Sequence, residues 1–198
     1  GDAIDIQYHT SYPGSDPMNS DNPSAPSARS LYYGTSSVPW SIVDGNVFNN
    51  FSNQLISNPE IVELRALEDP LFEIDIETNK TSEDITVDAE IKSVYNLNGK
   101  NLTFHAVVIE KEITSISGSN GETYFKSVLK KMLPNAGGTN YNHDWYSNQT
   151  ENINLMWEFE NVYNTANIQV VAFIQDEETK EIYQAITDDT TMVFTDIG

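Results

Sequence analysis

The chain has 198 residues, with 30 acidic side chains against 10 basic ones and a formal charge of −20. Such a surface repels phosphate backbones and anionic headgroups, which argues against nucleic-acid binding and polybasic membrane docking. There is no cysteine, so these residues supply no disulfide, thiolate metal site or thiol catalysis.

The length permits one large domain or two small ones with a proper core. No run of about 18 apolar residues occurs, so no helix of this sequence spans a bilayer. No signal-peptide pattern opens the chain. Gly1-Asp2-Ala3 running straight into an apolar strand reads as an engineered scar or a cleavage point, and the chain is expected to be a fragment of a longer protein.

Ile4 to Tyr8 alternates as a short strand. From Thr10 to Ser27 the composition turns to Pro, Ser, Asn, Asp and Gly, an extended loop feeding a helix around Ala25 to Tyr33. Asn22 or Ser24 suits its N-cap, and Gly34 is placed to stop it. Ala25, Ala28, Leu31 and Tyr32 share one face at helical spacing. Val38-Pro39 then reads as a loop entering a strand through a proline, and Asp44-Gly45 as the turn that leaves it. Val47, Phe48, Phe51, Leu55 and Ile56 predict a helix over 46–57, and Pro59 starts a second amphipathic piece over 61–67.

Asp69-Pro70 marks the expected domain boundary. Beyond it the period is two. Phe72, Ile74 and Ile76 alternate with carboxylates, as do Ile85, Val87, Ala89 and Ile91. Asn98-Gly99 carries a two-residue hairpin signal, and Leu102, Phe104, Ala106 and Val108 alternate next. Tyr124 to Leu133 suits either a helix or a strand ending at Pro134. After a polar loop over 135–149, strands are predicted at Ile153 to Phe159, Ile168 to Ile174 and Ile182 to Ile186. A further strand at Met192 to Phe194 would close the sheet. Seven or eight strands at this spacing pack naturally as a β-sandwich.

Three stretches together carry a family resemblance. The first is Tyr8-His9-Thr10, Asp16-Pro17-Met18, Arg29 to Gly34, Val38-Pro39 and Asp44-Gly45. The second is Val107 to Glu110, with Val128 to Pro134 and Gly137-Gly138. The third runs from Asn167 to Asp176 and continues in Lys180 to Ala185. In this order they resemble the outer membrane protein 28-related family of Bacteroidota. The resemblance implies a thioredoxin-like domain followed by a β-rich domain, in an outer membrane-associated, cell-surface or secreted protein. In many relatives a Cys-x-x-Cys-like segment precedes the strand matching Ile4 to His9, and this chain begins after that point.

The expected fold is α+β: a partial thioredoxin-like α/β segment over 1–69, then an antiparallel β-sandwich over 70–198, Ig-like or jelly-roll-like. Val38 and Pro39 are the candidate cis-proline loop, which in thioredoxin-like proteins meets an extended peptide substrate. Tyr141, His143, Asp144, Trp145 and Tyr146 form the candidate ligand-facing loop, where aromatics, amides and a carboxylate suit a sugar or peptide. The simpler reading of that loop is an anchor made by burying Trp145. Arg29 is expected to pair with Asp16 or Asp44 and hold the long loop down.

No catalytic constellation, cofactor cradle or metal-ligand spacing appears, so the sequence leans away from an enzyme. The expectation is a non-enzymatic envelope protein whose sandwich contacts a protein or glycan. The alternatives are an oxidoreductase-like protein with cysteines upstream, and a carbohydrate-binding module.

Overall fold

A computed structural model describes residues 3–12, 14–45, 65 and 67–189. Among the described residues, two short helices, α1 (Pro17–Asp21) and α2 (Ser24–Tyr33), precede eight strands. These are β1 (Phe72–Lys80), β2 (Asp84–Ser93), β3 (Leu102–Ile113), β4 (Phe125–Leu133), β5 (Thr139–Tyr141), β6 (Thr150–Glu158), β7 (Ile168–Asp176) and β8 (Ile182–Thr187). They form two antiparallel sheets, one ordered β1-β2-β6 and one ordered β4-β3-β7-β8, with β5 also paired to β3. The fold is therefore β-rich, as the period-two stretches predict. The ambiguous stretch before Pro134 is a strand.

Alternation builds the first sheet. Ile85, Val87, Ala89 and Ile91 of β2 are buried, while Asp88 and Glu90 are exposed. Their inward side meets Phe104, Ala106 and Val108 of β3 and Val170, Ala172 and Ile174 of β7 in one apolar core with Trp145 and Trp157. The second sheet is buried on both faces: residues 102–110 of β3 are all buried in succession. Its outer side (Val107, Ile109, Leu129, Met132, Val171 and Phe173) is covered by Ala25 of α2 together with Ile6 and Tyr8. Met18 of α1 joins Ile113, Phe125 and Val128 in a smaller cluster on the same sheet.

The thioredoxin-type order of strand, helix, proline and strand is not formed in the described residues. Ile4 to Tyr8 makes only an isolated parallel bridge, Gln7 to Val128, which lays the arm along the edge of β4. No strand follows Val38-Pro39; residues 40–43 have no ladder partner, although the Val38–Pro39 peptide is cis. The predicted helix over 46–57 and the strand at 192–194 lie outside the described residues, as does most of the piece over 61–67.

Three further expectations change. Asn98-Gly99 closes no hairpin, because β2 and β3 belong to different sheets and the segment between them crosses from one to the other. In α2 the buried positions are Ala25, Pro26 and Arg29, whereas Leu31 is 84% exposed. The helix ends as expected at Gly34, in the left-handed conformation, whose amide donates to Leu31 O. Its N-cap position is Pro23, with Asn22 Oδ1 accepting from the Ala25 amide.

Candidate functional site

The predicted ligand-facing loop lies at one end of the sandwich, and a second segment completes it. The crossover between β2 and β3 runs beside the loop between β5 and β6. Leu97 and Trp145 exchange both backbone hydrogen bonds, each 2.8 Å. The Gly99 amide donates to Asp144 Oδ1 at 2.7 Å. Ser147 donates from its amide to Asn96 Oδ1 and from its hydroxyl to Val94 O. The Asn148 amide donates to Ser93 O. Two polar loops are thereby tied into one rigid unit.

Trp145 fixes that unit from below. Its ring is fully buried, edge-on to Phe72 and Tyr141 at 5.1 and 5.4 Å and tilted on His143 at 4.9 Å. The ring has no solvent-facing surface. His143 Nδ1 faces Asp144 O and its Nε2 lies 3.5 Å from Glu151. Tyr141 is half-buried, and burial with the Glu151 charge raises its hydroxyl pKa. Tyr146, 63% exposed, is the aromatic face that the predicted residues offer to solvent.

Tyr95, 47% exposed, belongs to the same surface and is missed by sequence reasoning. Its neighbours Val94 and Asn96 both bond Ser147, next to Tyr146. The available signal was the loss of alternation after Ser93, where Tyr-Asn-Leu-Asn-Gly replaces the strand pattern. Exposed tyrosines with adjoining amides supply flat faces and directed hydrogen bonds, the two contacts that a sugar ring or an extended peptide uses.

Val38 and Pro39 lie elsewhere, on the segment leaving α2; Val38 is half-buried and Pro39 exposed. That segment is pinned at its far end, where the Ile182 amide donates to Asp44 O. Gly45 has φ +82°, and a Cβ there would fall 1.6 Å from Lys180 O, so only glycine fits. Arg65 holds Asp44, Glu68 and Glu181 together at this point.

Arg29 departs from expectation. Asp16 bonds His9 and caps α1, and Asp44 is taken by Arg65. The Arg29 guanidinium is instead buried under α2, over the rings of Tyr32, Tyr33 and Phe173 at 4.9, 4.7 and 5.7 Å. It donates to Tyr33 Oη and Gln175 Oε1. Aromatic faces and neutral oxygens thus carry a charge that a carboxylate was expected to meet. Burial raises the Tyr8 hydroxyl to about 12, with Arg29 opposing the rise. His105 stacks on Phe173 at 4.9 Å, and neither of its ring nitrogens has a hydrogen-bond partner.

Among the described residues, no group of three or more His, Cys, Asp or Glu could hold a metal ion. No described helix is long and apolar enough to cross a membrane.

The described residues define a two-sheet antiparallel sandwich whose outer face is covered by a short helical arm. HBP35 of Porphyromonas gingivalis has a similar fold: TM-score 0.69 and 14% identity, covering 90% of this chain and 64% of that one. The chain thus spans just under two thirds of HBP35. A domain of the outer membrane lipoprotein Omp28 from the same organism aligns with TM-score 0.42 and 14% identity, over 61% of this chain and 88% of that one. β-Glucuronidase 2 of Bacteroides uniformis aligns with TM-score 0.33 and 12% identity, over 58% of this chain and 12% of the enzyme. No protein-family model matches the sequence, and no curated protein matches it significantly.

Proposed function

We propose that this chain is part of a non-enzymatic bacterial envelope protein, akin to the outer membrane protein 28-related proteins. In this reading the end of its sandwich contacts a glycan or protein at the cell surface. The observation that carries it is the tied loop pair: a buried Trp145 below, with Tyr95 and Tyr146 held outward above. A loop backbone already tied by the fold loses little entropy on binding, so modest aromatic contacts can give useful affinity. The family resemblance supports the envelope setting, and the fold shared with HBP35 supports the sandwich architecture on which the loop pair sits.

The test is retention on immobilised envelope polysaccharide and on envelope protein, for the wild type and for Tyr95→Ala/Tyr146→Ala. Both side chains are exposed, so the double variant should keep its melting temperature within about 2 °C. It should lose most retention on one of the two supports. Unchanged retention on both would remove the loop pair as the contact surface.

A further inference from the structure

The two sheets end differently on the side where β4 and β6 lie. The β4 edge is covered by the chain's own arm: the Gln7 amide donates to Ser127 O, and the Leu129 amide donates to Gln7 O. Among the described residues nothing covers the β6 edge: β6 pairs only with β2, in unbroken register from Thr150–Lys92 to Glu158–Asp84. It contains no proline, lysine or bulge, three of the devices by which exposed edges are blunted, and its two charges, Glu151 and Glu158, stand near its ends.

Its backbone parity follows from its two ends. The Phe159 amide donates to Glu83 O, and the Ser93 amide donates to Gln149 O. Alternation between them turns the N–H and C=O groups of Thr150, Asn152, Asn154, Met156 and Glu158 away from β2. Five residues therefore present both main-chain groups to an incoming strand.

The sheet face beside this edge fixes the chemistry of the occupant. Asp75 stands directly opposite Glu90, and Glu77 opposite Asp88, on the exposed side of β1 and β2. Asp84 likewise stands opposite Glu158. Like charges facing each other across a ladder destabilise it. The ion pair on this face, Lys92 with Glu73, lies at one end of the sheet, and Asp88 otherwise accepts from the Asn154 amide group. Asn152 and Asn154 fill the row between these carboxylates and the edge.

A strand added to β6 would lie about 10 Å from β2, two strand spacings away. A lysine or arginine side chain on its outer face spans that gap over the short asparagines. A second copy of this chain is a poor occupant, since β6 brings two glutamates and no cation.

We infer that β6 is an acceptor edge for an extended basic segment of a partner protein, which adds as a fourth strand and sets its cations against Asp88 and Glu90 of β2, within the negative field that the β1 carboxylates extend behind them. This mode draws affinity from main-chain hydrogen bonds and specificity from alternate side chains. It is independent of the loop pair at the end of the sandwich.

The probe is a fluorescein-labelled, end-blocked decapeptide alternating lysine with threonine, titrated into the chain at 150 mM NaCl and followed by anisotropy. The same peptide N-methylated at alternate residues keeps its charge but cannot donate to a strand edge. We expect saturable binding of the first peptide and at least about tenfold weaker binding of the second. Asp88→Asn/Glu90→Gln should weaken binding about fivefold while raising the melting temperature, as facing charges are removed. Met156 is 58% exposed and its amide faces outward, so Met156→Pro should weaken binding and leave the β2 ladder intact. Equal affinity for the two peptides would reduce the interaction to charge adsorption and overturn the proposal. So would failure to bind at this salt, or sedimentation showing a dimer that the basic peptide does not disrupt.

Discussion

At the residue scale, His105 converts burial into acid sensitivity. Burial, and then the neighbouring Arg29 charge, push its pKa down from 6.5 to about 3. An unfolded chain takes a proton there below about pH 6.5, whereas the folded one takes it only near pH 3. Between those values the unfolded state binds more protons, so stability falls as pH falls, by up to about 1.4 kcal/mol per unit. Glu110 and Asp188, whose carboxyls are raised mainly by burial, act in the opposite sense. The clean measurement is therefore a difference between proteins. His105→Phe keeps the stack on Phe173 and deletes two unpartnered nitrogens, so it should gain about 1 kcal/mol at neutral pH. Urea unfolding at pH 7, 5 and 4 should show that gain widening as the pH drops. Parallel losses in the two proteins would show that His105 does not set the slope.

Asp176 works the other way. Burial alone raises its carboxyl pKa, but bonds from Lys100, Tyr183 and the Thr179 and Glu178 amides outweigh burial and hold it near 2. A carboxylate held below its ordinary 3.8 stabilises the fold above that pH, and the contribution is lost as pH falls through about 2. The side chain is fully buried. Asp176→Asn would strand the Lys100 ammonium and weaken the turn into β8, at a cost of about 3 kcal/mol. Chemical denaturation at pH 7 measures it, and a loss under about 1 kcal/mol would show the pair to be dispensable.

At the scale of elements, the seat of α2 is the main departure from the sequence reading. Arg29→Ala should cost about 3 kcal/mol, because truncation removes three ring contacts and leaves the buried Gln175 Oε1 without its donor, while Tyr33 Oη keeps only the bond from Gln175 Nε2. Amide exchange should quicken in α2 more than in β7; equal quickening in both would mean that the helix opens only with the whole fold. The helix itself was legible from Ala25 to Gly34, but its buried face was not. Arginine counts as polar in a periodicity, and nothing local announces that aromatic faces will receive it.

β1, β2 and β6 were legible because one side of each is wet, so a strict period of two survives in residues such as Ile85 to Ile91. The bridge at Gln7 was over-read as a strand, since five alternating residues look alike whether they join a ladder or merely lie along an edge. Asn98-Gly99 was over-read for a related reason. The dipeptide specifies a tight turn, but whether that turn closes a hairpin depends on which sheet receives the next strand, a property of packing rather than of two residues. In the ligand-facing loop, Trp145 was recognisable as either anchor or contact, and its complete burial against Phe72, Tyr141 and His143 is a matter of packing that local sequence does not show. Tyr95 had no partner visible in sequence, because the contact that places it joins residues about fifty positions apart.

At the scale of the whole molecule, the charge of −20 sets how stability responds to salt. Specific ion pairs such as Lys100–Asp176 and Lys130–Asp21 are short and sheltered, so added salt weakens them little. Repulsion among the remaining carboxylates acts through solvent across the surface, and screening removes it once the Debye length drops to about 10 Å near 0.1 M. The melting temperature should therefore climb steeply between 0.02 and about 0.2 M NaCl and then level off. Each kcal/mol recovered is worth about 2–4 °C for a chain of this size. Asp88→Lys, which places a cation opposite Glu77 and beside Glu90, should raise the low-salt melting temperature and shrink the salt increment. A plateau distinguishes screening from a general salting-out effect, which would keep rising with concentration. A melting temperature that falls with salt would mean that the sheltered pairs, rather than surface repulsion, dominate the electrostatics of the fold.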